Sequence, residues 1–444
     1  TITGASENDS SLTSTFDASR LVQAFYVAVP TKVTFINLNI INSLSLSNGG
    51  AVYGTENCNI EFINCLFSNN YADGANGGAI FIDKNGKLKV TDCNFTSNNA
   101  YDSTGGGAIY GYDGSYLEIS NSKFTDNIAT QSGAAIYGYN INVTSTLFNT
   151  NNAINGDAGA IYGTNKMDIN NCNFTENTAK NSGGAVYGSS GNVNILNSIF
   201  TNNTATNGGA LGFYDATFEI KYSTFNENTA TNGGALYQTT NNGKIIESKF
   251  NQNTATSNGG AINTQGNLNI ESTDFTKNTA TSNGGAIYSQ LMLNINNSKF
   301  IDNNKDIYMK DGVIAYTNFT SASLPVLTTT GRAQFNQTKF NGEYPSRTYI
   351  RGNFVSDIYG HYVVLNDAVN KCTSSALFLN NTLYVLNETV HITKNIELYG
   401  GYTVSDGLTS TVNGLGQLQL FSIDGAYTVK FFNITFIHGI DSNG

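Results

Sequence analysis

Tryptophan is absent from this chain of 444 residues, and proline, methionine and histidine occur only three times each. So little proline leaves no room for polyproline or collagen-like segments. Charge is scarce too: charged residues make up 12% of the chain, about half the usual share. Their 22 cations against 32 anions give a net charge of −10 with no basic cluster, which excludes the concentrated cationic face that nucleic-acid binding needs. Composition also argues against a disordered linker, because high net charge per residue is missing. No apolar run approaches the roughly 18–20 residues of a membrane-spanning helix. The five cysteines are an odd number without CxxC, so neither a full disulfide framework nor a zinc site is expected. The chain opens at Thr1 without a secretory signal or an initiator Met, and the expectation is a mature protein or a fragment of something longer.

Glycine, at 46 residues, together with Asn, Ser and Thr, dominates what is present. That is a polar, uncharged surface of the kind found outside cells. N-x-S/T triplets, among them those headed by Asn94, Asn142, Asn173, Asn202, Asn296, Asn318, Asn336, Asn387 and Asn433, are candidate glycosylation sites, although many arise by chance in so Asn- and Thr-rich a chain.

An internal repeat decides the fold. A Gly-Gly-Ala-aliphatic-aromatic block recurs with its Ala at 51, 79, 108, 135, 160, 185, 210, 235, 261 and 286. Between these blocks runs F-x-x-N, with Phe at 67, 95, 124, 148, 174, 200, 225, 250, 275 and 300. Just before each Phe the chain alternates in period two, as in Leu117/Ile119 and Val193/Ile195, and alternation of that length means short strands. Each period of about 25 residues is therefore expected to hold three short strands, none able to bury its apolar side alone. Stacking solves this, since equivalent strands pair in parallel about 4.8 Å apart with their side chains in columns. The fold class expected is all-β, a right-handed parallel β-helix (solenoid).

The columns can be read directly. The aliphatic column from Val52 through Ile161 to Ile287 never turns polar and is placed inside, as is the Phe column. Two residues before each Phe stands Cys65, Cys93, Ser122, Thr146, Cys172, Ser198, Ser223, Ser248, Thr273 or Ser298, read as small inward fillers. A disulfide between stacked Cys65 and Cys93 is conceivable. The Asn that closes F-x-x-N (Asn127, Asn177, Asn203, Asn228, Asn253, Asn278) is expected to form a turn ladder through αL geometry and amide stacking.

GGA[IVL] paired with F-x-x-N resembles the repeats of chlamydial polymorphic outer-membrane proteins. The wording FTENTA, FTNNTA and FTKNTA is similar to that of the large adhesin-like surface proteins of methanogenic archaea. The resemblance covers 49–304 strongly and the flanks weakly. It implies a β-helical surface protein and says little about a ligand.

The flanks carry a larger period. At an offset of 396, Leu12-Thr13-Ser14-Thr15 equals Leu408-Thr409-Ser410-Thr411, and Phe25, Val33, Phe35, Asn37 and Ile41 match Phe421, Val429, Phe431, Asn433 and Ile437. Leu365, Ala368, Val369 and Cys372 fall at i, i+3, i+4 and i+7, one amphipathic helix suited to cap an open end. The division expected is 1–304 as β-helix with GGAIY/FxxN coils, 305–360 as irregular closing coils and junction, and 361–444 as a capping helix with the opening coils of a following unit.

Chemistry is sparse. Asp73, Asp102 and Asp157 precede Gly-Gly blocks singly, as solvated turn residues or at most weak Ca²⁺ sites, and His361, His391 and His438 sit in unrelated contexts. No cofactor and no metal site is expected. The residue after each aliphatic position is mostly aromatic: Tyr53, Phe81, Tyr110, Tyr137, Tyr162, Tyr187, Tyr237 and Tyr288, broken by Gly212 and Asn263. Alternation places this stripe on the outer face, solvent-exposed, as a self-stacking ladder or a platform for sugar rings or an apolar partner. The function expected is a non-catalytic extracellular surface protein: an adhesin, stalk or filament of stacked β-helical units. Its expected partners are neighbouring copies or tandem units end to end, and cell-surface glycans or proteins. The alternative is a polysaccharide-cleaving β-helix enzyme, a lyase or glycosidase, whose paired carboxylates the scattered acids do not supply.

Overall fold

The computed structural model describes residues 1–4, 13–28, 32–239, 242–331 and 333–342; beyond these it describes 350–352, 355–356, 361–362, 365, 369, 376–378, 383–386, 388–399 and 410–440. The chain is an all-β, right-handed parallel solenoid of about 15 turns, about 25 residues apart. Three sheets of 24, 14 and 10 strands take in the strands up to Tyr362, and three small sheets of three, three and two strands follow; nearly every pairing is parallel with equivalent residues in register, Ile136 on Ile161 on Val186 and Phe148 on Phe174 on Phe200.

The strands fall into three sheets, but not with the assignment expected. The aliphatic block and the alternating segment share the largest sheet and fuse into single strands in several coils, as in Ile161–Asn170 and Val186–Leu196. The third sheet is instead built from two- to four-residue strands around an Ala, such as Thr178–Ala179 and Thr204–Asn207. Strands this short carry no alternation to detect; their Ala side chains are buried between coils.

Two of the three turns in a coil are corners made of one residue in the left-handed region followed by a buried Cys, Ser, Thr or Asn. In one coil these are Asn171 (φ 54°) before Cys172 and Glu176 (φ 54°) before Asn177. The Asn ladder expected from F-x-x-N is present, yet its Asn is not the αL residue; the residue before it is. The third turn explains the paired glycines. Gly183 has φ +65°, and a Cβ on Gly184 would lie 2.0 Å from the Gly209 carbonyl oxygen of the next coil, so the first glycine supplies the backbone conformation and the second the close approach.

Inside, twelve Phe rings from Phe67 to Phe340 stack in one column with neighbouring centroids 4.6–5.1 Å apart, which is the strand spacing itself. Beyond residue 304 the described residues go on stacking in shorter coils. Ile307–Ala315 stacks on Ile287–Asn296, and Phe319 and Phe340 continue the ring column at shorter spacings of 19 and 21 residues.

A second core gathers Leu365, Val369, Leu377, Val390, Ile396, Leu398 and Val412 among others. Leu365 and Val369 are helical there and buried; Ala368 and Cys372 lie outside the described residues. The offset of 396 reappears in three dimensions. Ser14 pairs with Leu38 as Ser410 pairs with Ile434, Ile2 pairs with Phe35 as Leu398 pairs with Phe431, and Asn37 and Asn433 both have positive φ.

Candidate functional site

The tyrosine stripe is the feature of greatest functional interest, and its geometry begins with register. Tyr110, Tyr137, Tyr162 and Tyr187 occupy equivalent positions in adjacent coils, pointing away from the aliphatic core. With Tyr26, Tyr53 and Phe81 they form a continuous stack, centroids 4.6–5.4 Å apart, that ends at Gly212; Tyr288 stacks separately, on Tyr308. Tyr237 and Asn263 lie in the same column.

Solvent exposure was expected here, and the structure corrects it. Tyr110 is only 6% exposed and Phe81 3%, while Tyr53, Tyr137, Tyr162, Tyr187, Tyr237 and Tyr288 are half-buried. A loop and a neighbouring strand close over these rings: a Cβ on Gly105, in the loop leading into a Gly-Gly turn, would meet the Tyr137 ring of the next coil at 3.1 Å, and one on Gly212, in the strand paired with that of Tyr187, would meet the Tyr187 ring at 2.8 Å. Alternation reports only which side of the strand a residue takes, not what lies across it. Burial accordingly pushes the phenols of Tyr110, Tyr137, Tyr162, Tyr187 and Tyr237 up. Tyr53 is pushed up to about 12 by burial and by its hydrogen bond to Asp83 Oδ2 (2.8 Å). The stack is thus a wall of rings that shows mainly its edges.

Two polar ladders that spacing only half disclosed run beside the core. Asn70, Asn98, Asn127, Asn151, Asn177, Asn203, Asn228, Asn253, Asn278 and Asn303 are all buried. Asn203 is typical: its Nδ2 donates to Asn228 Oδ1 (3.0 Å) and to the Phe174 carbonyl (3.0 Å), and its backbone N–H also donates to Asn228 Oδ1 (3.0 Å). The Cys/Ser/Thr column is a second hydrogen-bonded ladder rather than a row of fillers. Ser198 Oγ donates to the Leu196 carbonyl and accepts the Cys172 N–H. Interchange of Cys with Ser and Thr was the available signal, since all three carry a donor that also accepts. Cys65, Cys93 and Cys172, with Cys58, are free thiols. Cys65 N–H donates to Cys93 Sγ (3.3 Å). Side chains projecting in parallel from strands about 4.8 Å apart hold their Cβ atoms beyond the roughly 3.5–4.5 Å of a disulfide.

The remaining candidates do not converge. Asp73 is exposed at a strand end and Asp102 in a turn, while Asp157 is half-buried, its Oδ1 accepting the Ser182 N–H (2.9 Å). Burial raises the Asp157 carboxyl, so it acts as one step of a turn ladder with Ser132 and Ser182. His391 pairs with Asp424 (2.8 Å) on an exposed surface, and His438 Nδ1 lies 3.2 Å from Asn413 Oδ1; the side chain of His361 lies outside the described residues. Among the described residues no group of three or more His, Cys, Asp or Glu could hold a metal ion, and no helix is long and apolar enough to cross a membrane. Of the N-x-S/T triplets, Asn94, Asn173, Asn202, Asn296, Asn318 and Asn433 are exposed and Asn142 is half-buried; the side chain of Asn336 and all of Asn387 lie outside the described residues.

Comparison with known proteins agrees with this architecture. The family model for the right handed beta helix region matches residues 23–205. The model for the Chlamydia polymorphic membrane protein repeat matches residues 222–239, 247–265 and 272–290. No curated protein and no solved structure matches.

Proposed function

We propose that this chain is a non-catalytic structural or adhesive protein of the cell surface, made of β-helical units in tandem. The observation that carries this reading is the recurrence of one strand set at 14–41 and 410–437 with the same pairing register. A chain that begins the same solenoid twice is organised for length. The polymorphic membrane protein repeats support a surface location, as do the uncharged Asn- and Thr-rich faces. The likeness of FTENTA-type wording to archaeal adhesin-like proteins points the same way. Neighbouring units are the partners this design favours, and glycans or proteins would be met by the edges of the tyrosine wall or by the Thr-lined outer face of the alanine sheet.

Solution scattering or electron microscopy tests this directly. The twelve-ring Phe column alone implies a rod of roughly 50 Å at about 4.8 Å per coil. An elongated particle is expected, and a compact globule overturns the reading. Turnover of acidic polysaccharides by the purified chain would replace it with the lyase or glycosidase alternative.

A further inference from the structure

The asparagine ladder has an end, and the residue found there is unlike any other in the core. Nine asparagines, from Asn70 to Asn278, each pass an amide hydrogen to the next, and the tenth is Asn303. The next coil supplies no Asn. Asn303 Nδ2 turns instead to Asp306 Oδ1 at 2.7 Å, while keeping its bond to the Phe275 carbonyl (3.0 Å). Asp306 stands in the column occupied by Ala in the ten preceding coils, its carbonyl accepting the Ala286 N–H (2.9 Å). It has no exposed surface, and its Oδ2 has no hydrogen-bond partner.

A carboxylate in such a place is hard to sustain. Removing an ionised carboxyl from water is far more unfavourable than removing its neutral acid, unless a cation or several donors compensate. The surroundings offer little. Asn303 and Ser321 help the charged form, the Ser321 hydroxyl itself being engaged with the Asn303 carbonyl (3.1 Å). The charge acting on Asp306 is that of Asp302, of like sign. Lys305, the residue before it, reaches the Ser282 carbonyl instead. Burial therefore dominates and pushes the carboxyl up to about 8.

We propose that Asp306 closes the asparagine ladder as a neutral acid and works as a pH-sensitive clasp, so that its ionisation loosens the shorter coils after it while the laddered coils before it stay closed. The sign follows from proton uptake. The folded chain keeps this proton to higher pH than the unfolded chain, whose Asp titrates near 3.8. Between those two values the folded state binds more protons, so the stability of the clasp falls as pH rises and levels off once the folded carboxyl has ionised. The segment affected begins at Ile307–Ala315, which stacks directly on Ile287–Asn296, and extends through Asn318–Thr320 to Lys339–Phe340.

Amide hydrogen exchange on the full chain, corrected for intrinsic rates, tests the clasp between about pH 5 and about pH 9. Opening of 307–320 is expected to rise about tenfold or more, with Thr224–Asn226 unchanged, and Asp306→Asn is expected to abolish the rise. Asp306→Ala restores the residue of the other ten coils, so it folds without a carboxyl to titrate and gives the same flat profile. Equal pH responses in wild type and both variants overturn the proposal. So does a carbon-13 titration of the wild-type aspartates in which every carboxyl ionises near its ordinary value.

Discussion

The 25-residue coils and the shorter coils that follow them share one aromatic column but not one polar ladder. Phe275, Phe300, Phe319 and Phe340 stack without interruption across the change in coil length. The asparagines stop at Asn303, where the coil shortens. A ring at the centre of a three-residue strand needs only a parallel neighbour at the strand spacing. A buried amide needs the whole corner repeated, because it must find the previous coil's carbonyl and the next coil's Oδ1 together. Aromatic stacking therefore tolerates variation in the intervening turns, and the amide ladder selects coils of one shape.

Breaking the shared column should have the largest effect and the same effect on both sides. Phe225 and Phe319 are both fully buried, and truncating either to Ala is expected to remove about 3–5 kcal/mol. Because a solenoid is coupled mainly to its neighbours, the loss should appear as faster hydrogen exchange confined to the adjacent coils. A loss much smaller at Phe319 than at Phe225 would show that the shorter coils are not packed as an extension of the longer ones.

Breaking the ladder comes next. Asn228→Ala leaves the N–H and Nδ2 of Asn203 and the Phe200 carbonyl each short of a partner. At about 1–3 kcal/mol for each group left unsatisfied, partly relieved by water, about 2–4 kcal/mol is expected. Denaturant unfolding would measure it, and a value below about 0.5 kcal/mol would show that the amides align without contributing.

How much of this was legible follows from the same contrast. Columns were readable because stacking repeats one residue type every coil: Phe67 through Phe300, and the aliphatic Val52 through Ile287, both lie where the repeat places them. The recurrence at an offset of 396 was readable from matched residues such as Leu12–Thr15 and Leu408–Thr411; the pairing of Ser14 on Leu38 and of Ser410 on Ile434 came from the structure. What could not be read depends on the path between columns. The alanine sheet escaped because strands such as Thr178–Ala179 are too short to alternate. The cover over Tyr110 escaped because a loop, not a periodic element, supplies it. Asp306 was invisible because, with the 25-residue rhythm gone, nothing assigned it to the alanine column. The αL corners escaped because no residue type marks them, since Glu227, Lys277 and Tyr222 occupy them as well as Asn171.

Those corners give the smallest and most discriminating test. Glu227 has φ 54° and an exposed side chain, and it immediately precedes Asn228 of the ladder. Left-handed backbone is unfavourable by roughly 1–2 kcal/mol for a residue with an ordinary Cβ, and Asn tolerates it better through local hydrogen bonding. The conformation must therefore be imposed on Glu227 by the bonds around it, among them its own N–H to the Asn251 carbonyl (3.0 Å) and the amides of Asn228. Replacing Glu227 with Asn leaves those bonds in place and relieves the backbone, so it should stabilise the coil by about 0.5–1 kcal/mol. In the Asn228→Ala background the gain should shrink, because a corner freed of its ladder can relax out of the left-handed region without help. A thermal-unfolding double-mutant cycle reads the difference. An equal gain in both backgrounds would mean that the strand pairing alone, and not the asparagine ladder, holds the corner.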